Sequence, residues 1–128
     1  MERLRGALSS GPLVEEGPGL LVMDVDSTLI EQEVIELIAE RAGTRAQVAE
    51  VTRRAMRGEL DFAASLRERV ATLEGVGEGV FAEVLAEVRL TPGAQELIGT
   101  LHARGCAVGV VSGGFEEVVN YQDRKSVV

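Results

Sequence analysis

Two short apolar runs, each followed at once by a polar motif, constrain the fold of this chain most. Residues 19–25 (GLLVMDV) lead into Asp-Ser-Thr, and residues 106–111 (CAVGVV) lead into Ser-Gly-Gly. Short apolar runs bounded by turn signals are typical of buried strands in a parallel sheet. Because open α/β sheets bind ligands at the carboxyl ends of their strands, both polar motifs are expected at one binding edge.

Helices are predicted around and between these strands. Apolar positions recur at helical spacing in four segments of the intervening chain, residues 34–42, 44–57, 62–74 and 80–88. A fifth helix, from Thr91-Pro92 to about residue 104, precedes the second strand, and a sixth follows it at about residues 115–121. Without the four-helix insert, a βαβα unit of a doubly wound α/β fold remains.

Local signals place the helix ends. Thr44 and Gln47 match a capping box, and Asp61 is predicted to cap the helix that follows it. The hydroxyl of Thr91 is predicted to cap the fifth helix, with Pro92 in the first helical position.

Composition excludes several classes of function. The net charge of −8 and the 3% aromatic content argue against a nucleic-acid surface. The single cysteine, Cys106, excludes a disulfide framework and is expected to be buried, and the single histidine, His102, is expected on a helix surface. No apolar run is long enough to span a membrane, and the first residues do not match a secretory signal, so a cytoplasmic protein is expected.

The first polar motif, residues 24–28, suits phosphoryl transfer. Asp24 and Asp26 are two positions apart in an extended segment, so their carboxylates are expected on the same side. Such a pair is tolerated when a hard cation lies between the carboxylates or when one of them holds a proton. One carboxylate can then attack phosphorus while the other protonates the leaving oxygen and activates water. The alternative is an ordinary turn or helix cap.

The second motif, Ser112-Gly113-Gly114, suits anion binding. A hydroxyl, two glycines and a following helix present amide hydrogens to a phosphate, and glycine lets the backbone approach closely. The alternative is a tight turn between strand and helix.

Residues 21–119 resemble the phosphoserine phosphatases of the haloacid dehalogenase superfamily. The resemblance is carried by MDVDSTLIEQEVIELIAERAG, TRRAMRGELDFAASLRERV, LTPGAQELI and VGVVSGGF. It implies an α/β fold with a Rossmann-like parallel sheet, incomplete here, and an inserted helical cap. We expect the core in residues 20–33 and 91–122, the helical cap in residues 34–90, and an irregular lead-in before residue 20.

The resemblance also implies the site residues. Asp24 would be the nucleophile and Asp26 the general acid and base, with Asp24 and the backbone carbonyl of Asp26 binding Mg²⁺. The substrate O-phosphoserine, a small molecule, would be held by Glu33 at its ammonium group and by Arg69 at its carboxylate. The remaining contacts would come from the helical cap and the phosphate loop, through Met56, Phe62, Ser112 and Gly113. The implied role is the last step of serine biosynthesis.

Without the resemblance, several of these residues predict ordinary structure. Arg69 would lie on a solvated helix face beside Arg67 and Glu68. Glu33 would be an acidic residue in a first helical turn, where the helix dipole favours it. Met56 and Phe62 would belong to the core.

The chain departs from the family towards its end. The family uses a lysine that offsets the charge on phosphate and nucleophile, and a later GDGxND-type loop that supplies another magnesium ligand. The single lysine here is Lys125, the last aspartate is Asp123, and residues 123–128 match nothing in the family. We therefore expect a truncated chain with a non-native tail, marginal stability and little activity.

Three other interpretations stay open. The chain could act on another small phosphomonoester as a related phosphatase or phosphotransferase. It could be a module that binds phosphate or phosphoserine without turnover. It could also be a structural helical module in which Asp24 and Asp26 are incidental.

Overall fold

A computed structural model describes the protein over residues 10–124, with side chains described for residues 10–120. It contains two strands and seven α-helices in that range. In chain order these are α1 (Pro12–Glu15), β1 (Leu20–Asp24), α2 (Val34–Ala42), α3 (Arg45–Met56), α4 (Phe62–Ala71), α5 (Gly79–Glu87), α6 (Ala94–Ala103), β2 (Ala107–Val111) and α7 (Glu116–Arg124). Residues 1–9 and 125–128, which include Lys125 and most of the expected tail, lie outside the described residues.

The two strands pair in parallel, as the sequence predicts. The register runs from Leu20 opposite Ala107 to Asp24 opposite Val111. One face of the sheet packs on α6, where the buried Ile98 contacts Met23, Val108 and Val110. Leu20 and Val22 on the other face are 61% and 51% exposed. The expectation of buried strands is therefore wrong for this face, because the packing of α6 covers only the opposite one.

The six predicted helices are present, with α2 matching its predicted bounds. The left-handed conformation of Gly43 (φ 71°) ends α2 and lets its amide reach back to the carbonyls of the last turn. The lead-in contains a short helix, α1, that the sequence analysis did not predict. It has Pro12 at its first position, where a missing amide hydrogen costs no hydrogen bond.

Two of the predicted helix caps are wrong. Gly43 and Thr44 link α2 to α3, and the Thr44 amide closes the end of α2 by donating to the Ala39 carbonyl at 2.8 Å. Its backbone (φ −117°, ψ 14°) leaves the side chain without a cap bond. The hydroxyl of Thr91 donates instead to the Thr28 carbonyl at 2.6 Å, and α6 begins later, after Gly93. Asp61 does cap α4, accepting from the Ala64 amide at 2.7 Å.

The two segments that join the helical insert to the sheet are bonded to each other; we call them the paired linkers (residues 30–32 and 87–90). Ile30 and Leu90 form an antiparallel bridge, and the Glu31 amide donates to the Arg89 carbonyl at 2.9 Å. The Gln32 side chain donates to the Glu87 carbonyl at 3.1 Å and accepts from the Arg89 amide at 3.0 Å. The insert therefore begins and ends at one place.

The main core lies between this insert and the carboxyl ends of the strands. Its buried residues are Val25, Ile30, Val34, Ile38, Val84 and Val118. Phe81 of α5 meets Phe115 edge to face, with ring centroids 5.3 Å apart. Cys106 is buried and His102 is exposed on α6, as predicted. Among the helices in the described range, none has the length and apolar character needed to cross a bilayer.

Candidate active site

The segment after β1 is a wide turn, Val25–Leu29, closed by a 3.0 Å hydrogen bond from the Ile30 amide to the Val25 carbonyl. Val25 and Leu29 are buried beneath it, which fixes the polar residues between them at the surface of the core. Ser27 has φ 52° and ψ 18°, the left-handed region that L-residues seldom adopt. The strand therefore ends at Asp24, although Asp26 also has an extended backbone (φ −62°, ψ 134°).

Asp26 lies at the centre of the turn and is half-buried. Its Oδ1 accepts a 3.0 Å hydrogen bond from the Val34 amide, the first amide of α2. Burial raises the pKa of the Asp26 carboxyl, and the negative charges of Glu33 and Asp24 raise it further, against the Val34 hydrogen bond, which lowers it. The site therefore favours the protonated form of this carboxyl more than water does.

Asp24 ends β1, with its side chain exposed. Its Oδ1 accepts from the neighbouring Val25 amide at 2.7 Å. Within the described residues, no hydrogen bond engages the other carboxylate oxygen. Asp24 and Asp26 line the same cavity, so the predicted placement of both carboxylates on one side is confirmed.

The glycines after β2 bring the backbone against this carboxylate pair. A Cβ added to Gly114 would lie 2.7 Å from Asp26 Oδ2, closer than any side chain tolerates. A Cβ on Gly113 would lie 3.0 Å from the ring of Phe62, which comes from the helical insert. The Gly114 amide donates to the Ser112 hydroxyl at 3.0 Å. The sequence predicted unpaired amide hydrogens for an anion in this loop, and this is wrong for Gly114, because the Ser112 hydroxyl accepts its hydrogen.

These groups line one cavity of about 310 Å³ between the strand ends and α4. It brings together six of the predicted site residues, Asp24, Asp26, Glu33, Phe62, Arg69 and Gly113. Met56 lines an adjoining cavity, which shares Glu33, Phe62 and Arg69 with the first. Ser112 is not among the lining residues of the first cavity and is connected to it through Gly114.

The simpler interpretations of Arg69, Met56 and Phe62 fail, whereas that of Glu33 agrees with its place at the start of α2. Arg69 is partly buried, and its Nε is buried without a hydrogen-bond partner within the described part of the chain. Met56 and Phe62 are 86% and 68% exposed, so neither is a core residue. Glu33 is exposed rather than buried, and it precedes α2 at the capping position without a side-chain cap bond.

Sequence reasoning missed three groups of this site. The close approach of Gly114 to Asp26 and the hydrogen bond from the Val34 amide depend on tertiary placement, which no local pattern reports. Ser27 donates from its hydroxyl to Glu33 Oε1 at 2.8 Å. The position of Ser27 directly after Asp26, a few residues before Glu33, was the only available signal.

Oxygen ligands for a hard cation are present in small number. Among the described side chains, those of residues 10–120, no three His, Cys, Asp or Glu gather as a metal centre. Magnesium, however, needs few protein ligands, since it keeps water and binds substrate phosphate. The exposed Asp24 carboxylate beside Asp26, whose pKa is raised in part by the Asp24 charge, fits such a cation.

Comparisons with known proteins identify the family of the chain. A family model described as haloacid dehalogenase-like hydrolase matches residues 19–125. The phosphoserine phosphatase of Streptococcus thermophilus is 56% identical over 107 residues, which cover 84% of this chain and 50% of that protein. The chain belongs to the haloacid dehalogenase-like hydrolase family.

Two solved structures share the fold. A substrate-bound phosphoserine phosphatase complex aligns with a TM-score of 0.77 and 39% identity, covering 84% of this chain and 51% of that one. A phospho-aspartyl intermediate analogue of phosphoserine phosphatase aligns with a TM-score of 0.77 and 40% identity, covering 84% and 52%. The chain thus spans about half the length of these relatives.

Proposed function

We propose that the protein hydrolyses O-phospho-L-serine to L-serine and phosphate through a phospho-aspartate intermediate. The observation that carries the proposal is the single cavity in which Asp24 and Asp26 meet Glu33 and Arg69. The similarity to phosphoserine phosphatases, one of them bound to substrate, supports the same substrate class.

Asp24 is the nucleophile in this proposal. Its carboxylate oxygen forms a bond to phosphorus as the bond between phosphorus and the serine oxygen breaks, which leaves an acyl phosphate and a serine hydroxyl. A related phosphoserine phosphatase has been solved as a phospho-aspartyl intermediate analogue, which supports this route. Water then attacks phosphorus and regenerates the Asp24 carboxylate.

Asp26 is the general acid and then the general base. The raised pKa of its carboxyl, caused mainly by burial, favours a proton that can pass to the leaving serine oxygen. Its Oδ1 is fixed by the Val34 amide at 3.0 Å, so Oδ2, which faces Gly114, is the oxygen available for proton transfer. After that transfer the carboxylate takes a proton from the attacking water.

The charged groups of the substrate match the charged groups of the cavity. Glu33 supplies a carboxylate for the substrate ammonium. Arg69, whose Nε is buried and unpartnered in the described part of the chain, supplies a planar donor for the carboxylate. In this proposal Gly113 supplies a backbone donor to the phosphate, and Ser112, which is linked to the cavity through the Gly114 amide, supplies a hydroxyl donor. Phe62 and Met56 lie over the substrate from the helical insert.

Mg²⁺ is the cofactor that we propose, held by the Asp24 carboxylate and the Asp26 backbone carbonyl. When bound, it would offset the negative charge that nucleophile and phosphate share. We further propose that residues 34–90 act as a helical cap that excludes water, on a core formed by residues 20–33 and 91–122. We place this activity in the cytoplasm, in serine biosynthesis, without a nucleic-acid or membrane partner.

The test is phosphate release and calorimetric binding with O-phosphoserine, Mg²⁺ and the 128-residue chain. Arg69→Ala is expected to weaken O-phosphoserine binding by about tenfold to a hundredfold, because one charge-assisted pair is lost. It should leave binding of phosphoethanolamine, which has no carboxylate, almost unchanged. Arg67→Ala, an exposed arginine on the same helix, is the matched control.

The outcomes separate the candidate functions. Turnover of O-phosphoserine supports the phosphatase and contradicts the expected low activity of this chain, whereas tight binding without turnover fits both that expectation and a binding module. Equal losses of both ligands in Arg69→Ala would contradict the assigned carboxylate contact. Preference for a sugar phosphate would assign the site to another phosphomonoester.

A further inference from the structure

Ser27 has the least favourable backbone conformation at the site. With φ 52°, it is the single non-glycine residue of positive φ among the described residues. A serine gains nothing from this region by itself, since glycine occupies it without a steric penalty. An outlier of this kind, next to two reactive carboxylates, indicates that the serine side chain has a use.

The left-handed turn directs both polar groups of Ser27 towards the start of α2. Its amide donates to the Gln32 carbonyl at 3.1 Å, and its hydroxyl donates to Glu33 Oε1 at 2.8 Å. The backbone and side chain of one residue therefore hold two consecutive residues of the opposite arm of the turn.

Within the described part of the chain, the Glu33 carboxylate makes no hydrogen bond other than that from Ser27. This carboxylate occupies the position before α2 without accepting from the helix amides, and the first of these amides, that of Val34, donates to Asp26 Oδ1 instead. Ser27 does not line the main cavity, whereas Glu33 does. Any effect of the Ser27 hydroxyl on a ligand in that cavity therefore passes through Glu33.

We propose that Ser27 is a positioning residue that sets selectivity for substrates bearing an ammonium group. Its hydroxyl holds one oxygen of Glu33, which leaves the second oxygen directed to a cationic nitrogen in the cavity. The proposal rests on the proposed function and adds to it the residue that orients the ammonium contact.

The test compares two ligands that differ in the ammonium group alone. O-phosphoserine and 3-phosphooxypropanoate both carry a phosphate and a carboxylate, and their dissociation constants are measured by calorimetry with Mg²⁺ present. Ser27→Ala is expected to weaken O-phosphoserine binding about three- to tenfold and to change binding of the other ligand less than about twofold, because one hydrogen bond to a charged group is lost.

Ser27→Gly is the matched variant. It also removes the hydroxyl, but it relieves the left-handed backbone, so its melting temperature should equal or exceed that of the wild type while that of Ser27→Ala falls. Both variants should lose the same ammonium selectivity. If Ser27→Ala lost the ammonium selectivity and Ser27→Gly kept it, in parallel with their melting temperatures, the role of Ser27 would be structural and the proposal would be overturned.

A double-mutant cycle tests whether the effect passes through Glu33. In a Glu33→Gln background, Ser27→Ala should no longer change the affinity ratio of the two ligands, since the two residues act as one unit. Independent effects would overturn the proposal. If the wild-type chain does not distinguish the two ligands, the proposed function fails as well. If it distinguishes them and Ser27→Ala preserves the ratio, the Ser27 inference alone fails.

Discussion

The two strand ends that form the cavity are built in different ways. After β1, the chain is densely bonded: Asp24, Asp26 and Ser27 each take part in a hydrogen bond, above the buried Val25 and Leu29. After β2, one local bond from the Gly114 amide to the Ser112 hydroxyl organises a pair of exposed glycines.

The difference follows from what each end must hold. A carboxylate pair needs fixed donors, because like charges that are partly desolvated would otherwise turn away from each other. A loop for an anion needs little more than accessible backbone, and glycine gives the ligand room. The end of β1 therefore supplies the reactive carboxylates, and the end of β2 determines how closely the backbone approaches them.

The largest expected effect comes from removing the proposed nucleophile in the densely bonded segment after β1. Asp24→Asn should lower phosphate release by roughly a thousandfold or more, because the amide cannot form the acyl phosphate. Binding of O-phosphoserine should persist, since the groups assigned to it remain. A burst of phosphoenzyme, measured by rapid quench, should disappear with the variant. Retained turnover would assign the nucleophile elsewhere.

The next effect compares Gly113 and Gly114, the neighbouring glycines after β2. Gly114→Ala should lower turnover by about tenfold to a hundredfold, because the new methyl group would lie 2.7 Å from Asp26 Oδ2 and displace that carboxyl. Gly113→Ala should cost less, since its methyl group meets the Phe62 ring, which can move. Steady-state kinetics on both variants would show the ranking. A larger loss at Gly113 would mean that the phosphate contact there outweighs the position of Asp26.

A third effect concerns the paired linkers, which support the densely bonded segment after β1. Gln32→Ala removes two hydrogen bonds, to Glu87 and from Arg89, and should lower stability by about 1 kcal/mol. Hydrogen exchange should speed up at the Arg89 amide more than at the amides of β2. Unchanged protection at Arg89 would contradict the pairing.

The smallest expected effect is a gain in stability rather than a loss. Burial raises the pKa of the Asp26 carboxyl, so ionisation of this carboxyl destabilises the folded state. The contribution of Asp26 to the free energy of unfolding therefore decreases as pH rises above about 4 and through the raised folded-state pKa. Asp26→Asn keeps an acceptor for the Val34 amide without the charge. It should raise stability at neutral pH, by an amount that solvent screening reduces, while turnover is lost. Denaturation at pH 4 and pH 7 should show a gain only at the higher pH.

The sequence predicted the parallel strand pair and the helix order, because apolar periodicity and glycine stops act locally. It also predicted that Asp24 and Asp26 share one side. It misplaced the caps at Thr44 and Thr91, since both residues make contacts set by neighbouring elements.

Exposure could not be predicted from local pattern either. Met56, Phe62 and the outer face of β1 are apolar, yet they are open, because exposure depends on which element packs on them. Arg69 and Glu33 were assigned through family resemblance, and the cavity does bring them together. Their contacts with substrate stay predictions.

The paired linkers have a consequence for how such a chain can be altered. Because Ile30 bridges Leu90, a long helical segment leaves and rejoins the sheet at neighbouring positions. Insertions with adjacent termini can be exchanged without moving the strands that flank them. Grafting a different helical segment in place of the residues that follow Val34, whose amide holds Asp26, should therefore preserve the Asp24–Asp26 turn, so the same reaction centre can acquire new substrates by recombination rather than by redesign.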